Sequence, residues 1–124
     1  MNDKIFQEVF DLVYPVLPED WEKLCFFAEY EVDGFTIKFY CKIKGTYIDC
    51  YHMDTISMGD LLRLFFAIAE VLSKERASLD DKNRWTVLTM RVESNGRMRA
   101  DFDYEDHSED IISFEREWEK KYLQ

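Results

Sequence analysis

The stretch FTIKFYCKIK (35–44) alternates apolar and polar residues without a break. Phe35, Ile37, Phe39, Cys41 and Ile43 form one set; Thr36, Lys38, Tyr40, Lys42 and Lys44 form the other. An extended strand separates such sets, because successive side chains point to opposite sides of a sheet. The apolar set is expected to face a core and the polar set solvent, and a slip of one residue would exchange them. The chain must therefore build an antiparallel sheet with at least one covered side. LCFFAEYEV (24–32) alternates likewise, with Leu24, Phe26, Ala28, Tyr30 and Val32 against Cys25, Phe27, Glu29 and Glu31. Asp33-Gly34 lies at the tip between these strands, where Gly34 is expected to supply the positive φ of a tight hairpin. Gly45 then turns the chain into a third strand, TYIDCYH (46–52), completing a three-stranded meander.

A second hairpin is marked by Asn95-Gly96, a strong short-range turn signal. In its first arm Leu88, Met90 and Val92 alternate with Val87, Thr89, Arg91 and Glu93. In its second, Met98, Ala100, Phe102 and Tyr104 alternate with Arg97, Arg99, Asp101 and Asp103.

Three segments follow the helical period instead. KIFQEVFDLVYPVL (4–17) places Ile5, Phe6, Val9, Phe10, Leu12, Val13 and Val16 at that spacing, with Pro15 disturbing its last turn and Pro18 ending it. A helix of about 20 residues starts near Asp54, Thr55, Ser57 or Asp60, each a possible cap. Its apolar stripe, from Leu61 and Leu62 through Phe65 and Phe66 to Leu72, is wide enough for a central helix laid across the sheet. After the polar loop SLDDKN comes a terminal helix with Ile111, Phe114, Trp118 and Tyr122 on one face. The order α-β-β-β-α-β-β-α describes a single α+β domain, its antiparallel sheet carrying helices mainly on one face.

Length and composition agree with one domain, since 124 residues at 47% apolar content supply ample core. LFFAIAEVL (64–72) is interrupted by Glu70 and falls well short of the roughly 20 residues that span a bilayer. MNDKIFQEVF lacks the basic start and apolar block of a secretion signal, so a soluble, cytoplasmic protein is expected. Cys25, Cys41 and Cys50 are odd in number and lack C-x-x-C spacing, which suits reduced, packed thiols. The net charge of −10 is more informative. A nucleic-acid binder needs the opposite sign, and an anionic membrane would repel this chain. A basic protein partner would be attracted, although acidity also serves plain solubility.

The negative charge concentrates in DFDYEDHSED (101–110), with six carboxylates in ten residues. As an EF-hand loop from Asp101 the stretch fails, having Asp106 where Gly is required and Ile112 where the bidentate Glu should stand. His52 and His107 lie far apart and at no zinc-ligand spacing from a cysteine, so no metal or other cofactor is expected. Asp101 and Asp103 share a strand face with Cβ atoms about 7 Å apart, which is compatible with a catalytic acid pair. Arg91 on the partner strand would equally hold them as ordinary ion pairs, and no nucleophile activator or phosphate-cradling loop accompanies them. A hydrolase should show a cleft around these carboxylates; a binding protein should show an open face. In the binding reading Asp101, Asp103 and Glu105 line a solvent face, Asp106 follows, and Glu109 and Asp110 open the next helix. Acids in a first helical turn, capped by Asp106 or Ser108, also suit the helix dipole without any partner.

Several stretches together resemble the YezG-like immunity proteins, bacterial antitoxins that neutralise polymorphic secreted toxins, notably nucleases. They are LPEDWEKLCFFAEY, DLLRLFFAIAEVLSKER, RWTVLTMRVESNGRMRADFDYED and FEREWEKKYL, in order across nearly the whole chain. The most specific elements are Pro18, Trp21 and Glu22, the Gly96 hairpin, Tyr104-Glu105-Asp106, and Glu115-Arg116-x-Trp118-x-x-Lys121-Tyr122. The resemblance implies inhibition by binding in the cytoplasm, without catalysis or cofactor, of the basic C-terminal nuclease domain of a cognate toxin. Asp101, Asp103, Glu105 and Asp106 are then the expected contacts, with Tyr104 either an aromatic anchor or a core residue in line with Phe102. Trp21, Trp85 and Trp118 are expected in the core. The alternative is an acidic adaptor or scaffold that binds another basic partner.

Overall fold

The computed structural model describes residues 4–124, which form helices on both faces of one five-stranded antiparallel sheet. α1 (Lys4–Val13) passes into a 3₁₀ turn at Tyr14–Val16, where Pro15 supplies no amide donor. The meander is β1 (Lys23–Glu31), β2 (Gly34–Ile43) and β3 (Thr46–Asp49). α2 (Met58–Ser78) leads to the second hairpin, β4 (Val87–Glu93) and β5 (Met98–Asp103), and α3 (Ile111–Tyr122) closes the chain. The strands lie in the order β3-β2-β1-β4-β5, so meander and hairpin merge where β1 pairs with β4. The α+β order read from the sequence is the order of the structure. Among the described residues, no helix is long and apolar enough to cross a membrane.

α1 and α2 cover one face, closing over Leu24, Phe26, Ala28, Ile37, Phe39, Leu88 and Met90. α3 covers part of the other, where Trp118 packs on Cys25, Phe27 and Val87. Central β1 is therefore buried on both faces from Leu24 to Glu29. Trp85 and Trp118 are core residues; Trp21 is half-buried against Phe10. All three cysteines are free and buried, and burial pushes the Cys25 thiol up to about 12 and that of Cys41 to about 11.

Several local expectations are corrected. Gly34 opens β2 without a positive φ, whereas Lys44 (φ 51°) and Gly45 (φ 80°) carry the left-handed pair of the next turn. The third strand stops at Asp49, because its carboxylate accepts the Tyr51 and His52 amides and bends 50–52 into a 3₁₀ turn. Of the four possible caps of α2, Ser57 is the one used, accepting the Asp60 amide. The α2 stripe is narrower than its composition suggested: Leu61, Phe65, Ile68, Ala69 and Leu72 are buried, while Leu62 and Phe66 are exposed. The polar face of β2 is not open, since α3 covers it; Lys38 and Tyr40 are half-buried there. α3 starts at Ile111, after Asp110, so neither Asp106 nor Ser108 caps it and its first turn holds no acid.

Candidate functional site

β5 sets Asp101 opposite Thr89 and Asp103 opposite Val87, on the sheet face that α3 covers. The two carboxylates consequently edge a shallow cleft shared with Phe114, Glu117, Trp118 and Tyr122, where Asp103 is half-buried and Asp101 stays exposed. Asp101 accepts the Tyr122 hydroxyl at 2.8 Å and meets the Arg91 guanidinium at 3.6 Å. Burial and the Asp101 contact push the Tyr122 phenol up to about 12. Arg91 also stands 5.2 Å over the Tyr122 ring, so this acid, base and phenol together fasten the end of α3 to β4 and β5.

Asp103 is still more committed. Its carboxylate accepts the Glu105 amide at 2.8 Å and bonds the His107 ring at 2.9 Å. Partial burial works to raise its pKa, but these bonds and the His107 charge outweigh it and hold the group below its ordinary value. His107 lies stacked on Phe114 with ring centres 3.8 Å apart, which ties the 103–107 loop to α3. Thr86, just before β4, secures the same loop, its hydroxyl donating to the carbonyls of Asp103 and Glu105.

Beyond the strand the chain turns outward. Tyr104 is 53% exposed, which settles its place outside the core. Glu105 and Asp106 are exposed, and Asp106 accepts the Ser108 amide at 2.9 Å, which lowers its pKa. The expected single acidic strand face thus divides into two parts. Asp101 and Asp103 fasten α3 and the 103–107 loop, whereas the side chains of Tyr104, Glu105 and Asp106 form an exposed tip.

A cleft of the kind expected of a hydrolase adjoins Asp101 and Asp103, though both carboxylates are already tied to other side chains. The two roles of an acid pair require one carboxyl to keep its proton near neutral pH. Asp103 is shifted the opposite way, and both groups are engaged by neighbours. Asp103, Glu105 and His107 bring one possible ligand atom each within 4.8 Å of one another, the one such grouping among the described residues. The Asp103–His107 hydrogen bond already joins two of the three.

Glu29 was missed as part of this region. It belongs to the cross-strand row Glu29–Val87–Asp103 and is 2% exposed, with Oε1 lacking a hydrogen-bond partner. Burial, reinforced by the negative charges of Glu31 and Glu115, pushes its carboxyl up to about 7. A signal existed: Glu29 alternates with Cys25 and Phe27, two residues that rarely choose solvent. Also missed was an exposed apolar cluster made of Phe35, Tyr51, Leu62 and Phe66. The unusual width of the α2 stripe was its trace in the sequence.

Glu105 and Asp106 stand at the end of the sheet that also holds the β1–β2 tip. Tyr30, near that tip, donates its amide to Thr86, and the Thr86 hydroxyl donates to Glu105. The exposed acids Glu31, Asp33, Glu105 and Asp106 therefore share one end of the molecule.

Comparison with known proteins agrees with the fold-wide pattern. The family model described as Immunity protein YezG-like matches residues 2–124. A relative from Bacillus spizizenii, named Immunity protein YezG, is 24% identical over 109 residues, covering 82% of this chain and 68% of its own.

Proposed function

The chain belongs to the YezG-like immunity protein family, and from that premise we propose that it neutralises a cognate secreted toxin, a nuclease, by occupying its basic surface in the cytoplasm. No bond is made or broken in this reading. The observation that carries it is the exposed acidic end formed by Glu31, Asp33, Glu105 and Asp106 on a chain of net charge −10. A nuclease domain is cationic where it holds phosphates, so an anionic end competes for that surface and is steered toward it. Tyr104 supplies an exposed aromatic ring beside the acids, the residue type enriched at binding hot spots. Asp101 and Asp103 act one step back, orienting the 104–106 tip through Tyr122, His107 and the Glu105 amide.

The test uses the C-terminal domain of the toxin that this reading expects to be encoded beside this gene. Tyr104→Ala/Glu105→Gln/Asp106→Asn should keep the wild-type melting temperature and bind that domain roughly tenfold or more weakly. Equal affinity in the triple variant would remove the tip from the interface. Absence of binding by the wild type would end the antitoxin reading itself. Neutralising Asp101 and Asp103 is the poorer experiment, because it also loosens α3.

A further inference from the structure

We propose that the groove between α2 and the first half of β2 seats an extended apolar segment of a basic partner protein, which joins the sheet as an added strand. β3 pairs with β2 only from Tyr40 to Ile43, since the 3₁₀ turn at Cys50–His52 carries the chain away. From Gly34 to Phe39, β2 has a strand neighbour on its β1 side alone. Tyr30, which lies opposite Phe35, gives its amide to Thr86 on the far side of β1. Phe35 and, by alternation, Ile37 consequently direct their backbone N–H and C=O away from β1, toward the open edge. Such an edge is a template for another strand.

The side chains beside that edge suit the same occupant. Ile37 and Phe65 floor the groove; Phe35, Tyr51, Leu62 and Phe66 wall it. Those four walls are 42%, 50%, 49% and 69% exposed, an apolar concentration that marks interaction surface more often than solvated surface. A strand lying along β2 would place every second side chain against them, as strand pleating requires.

Charge selects the partner. Glu31 and Asp33 adjoin Phe35 at the hairpin tip, so the mouth of the groove is rimmed by acid. A second copy of this chain would bring a further −10 against that rim, whereas a cationic protein is drawn to it. Identifying the occupant as the toxin rests on the reading above; the groove and its preference for a basic strand do not.

Leu62→Glu/Phe66→Glu tests this, because both side chains are solvent-facing on a helix and their replacement leaves the core intact. The double variant should fold as the wild type and bind the toxin domain roughly thirtyfold or more weakly. In the wild-type complex the Phe35 and Ile37 amides should gain protection from hydrogen exchange. A variant that binds normally, or unchanged exchange at both amides, overturns the proposal. So does a wild-type dimer in sedimentation that the double variant dissolves, since the seat then belongs to a second copy. Should the wild type not bind the toxin domain, the antitoxin reading fails and a capped peptide alternating Val with Lys decides the groove. Protection of the two amides by that peptide, and not by its Glu-bearing counterpart, supports the proposal; no protection overturns it.

Discussion

Glu29 shares its side of β1 with Cys25 and Phe27, so its carboxylate sits in the layer that α3 seals. Its folded pKa, about 7, lies above the ordinary value of 4.5. A carboxyl shifted this way binds its proton more tightly folded than unfolded. Its stabilising contribution is complete below about pH 4.5 and is lost as the pH climbs toward 7. Asp103 has the opposite sign: its lowered value contributes stability above the ordinary carboxyl range that is lost as acid protonates it. The two windows do not overlap. Denaturant melts at pH 5 and pH 8 should find Glu29→Gln matching the wild type at pH 5 and exceeding it at pH 8 by on the order of 2 kcal/mol. A Glu29→Gln protein that is less stable at pH 8 would contradict this account. Thr89 supplies a second test in the same layer, accepting the buried Trp118 indole N–H at 2.8 Å. Thr89→Val should cost about 1–3 kcal/mol by orphaning that donor, and Thr89→Ser far less.

Among the elements, the turns separate glycines that composition alone cannot. Gly45 and Gly96 have φ of 80° and 95°, a region in which a Cβ is strained. Gly34 has no positive φ and nothing within 4 Å of a built Cβ. Replacing Gly45 or Gly96 by Ala should lower stability by about 1 kcal/mol, while Gly34→Ala should be neutral or slightly stabilising. Urea midpoints of the three variants check the ranking. α3 is the element that completes the site, and Trp118 is its main attachment, edge-on to Phe27 with ring centres 4.9 Å apart. Trp118→Ala should cost about 3–5 kcal/mol and free the Asp103–His107 loop, which His107 ties to Phe114. Loss of near-ultraviolet ellipticity together with faster exchange in 103–122 would report it.

For the whole molecule, charge is the governing quantity. If partner capture is electrostatically steered, raising salt from 50 mM to 500 mM should slow association at least tenfold while dissociation changes little. Stopped-flow kinetics with the toxin domain would show this, and a salt-independent on-rate would remove steering from the account. Stability should respond less, because the ion pairs are mostly exposed and of short sequence range, such as Arg63–Asp60 and Lys74–Glu70.

Period and turn chemistry are local properties, and these the chain states openly. The alternation in 35–44, the helical spacing of 4–13 and the Gly96 turn determined the element order and most core residues before any coordinates. The net charge likewise limited the partners without reference to shape. What depended on tertiary structure was which face each element turned to which neighbour. Alternation places Asp101 and Asp103 on one side of β5 but cannot say that α3 lies over that side. It therefore could not show that both acids are tied to neighbouring side chains, or reveal that Glu29 is sealed in. The breadth of the α2 stripe was legible too, yet only the early end of β3 left Leu62 and Phe66 uncovered. Burial is decided by elements distant in sequence, and no local pattern encodes where those elements stop.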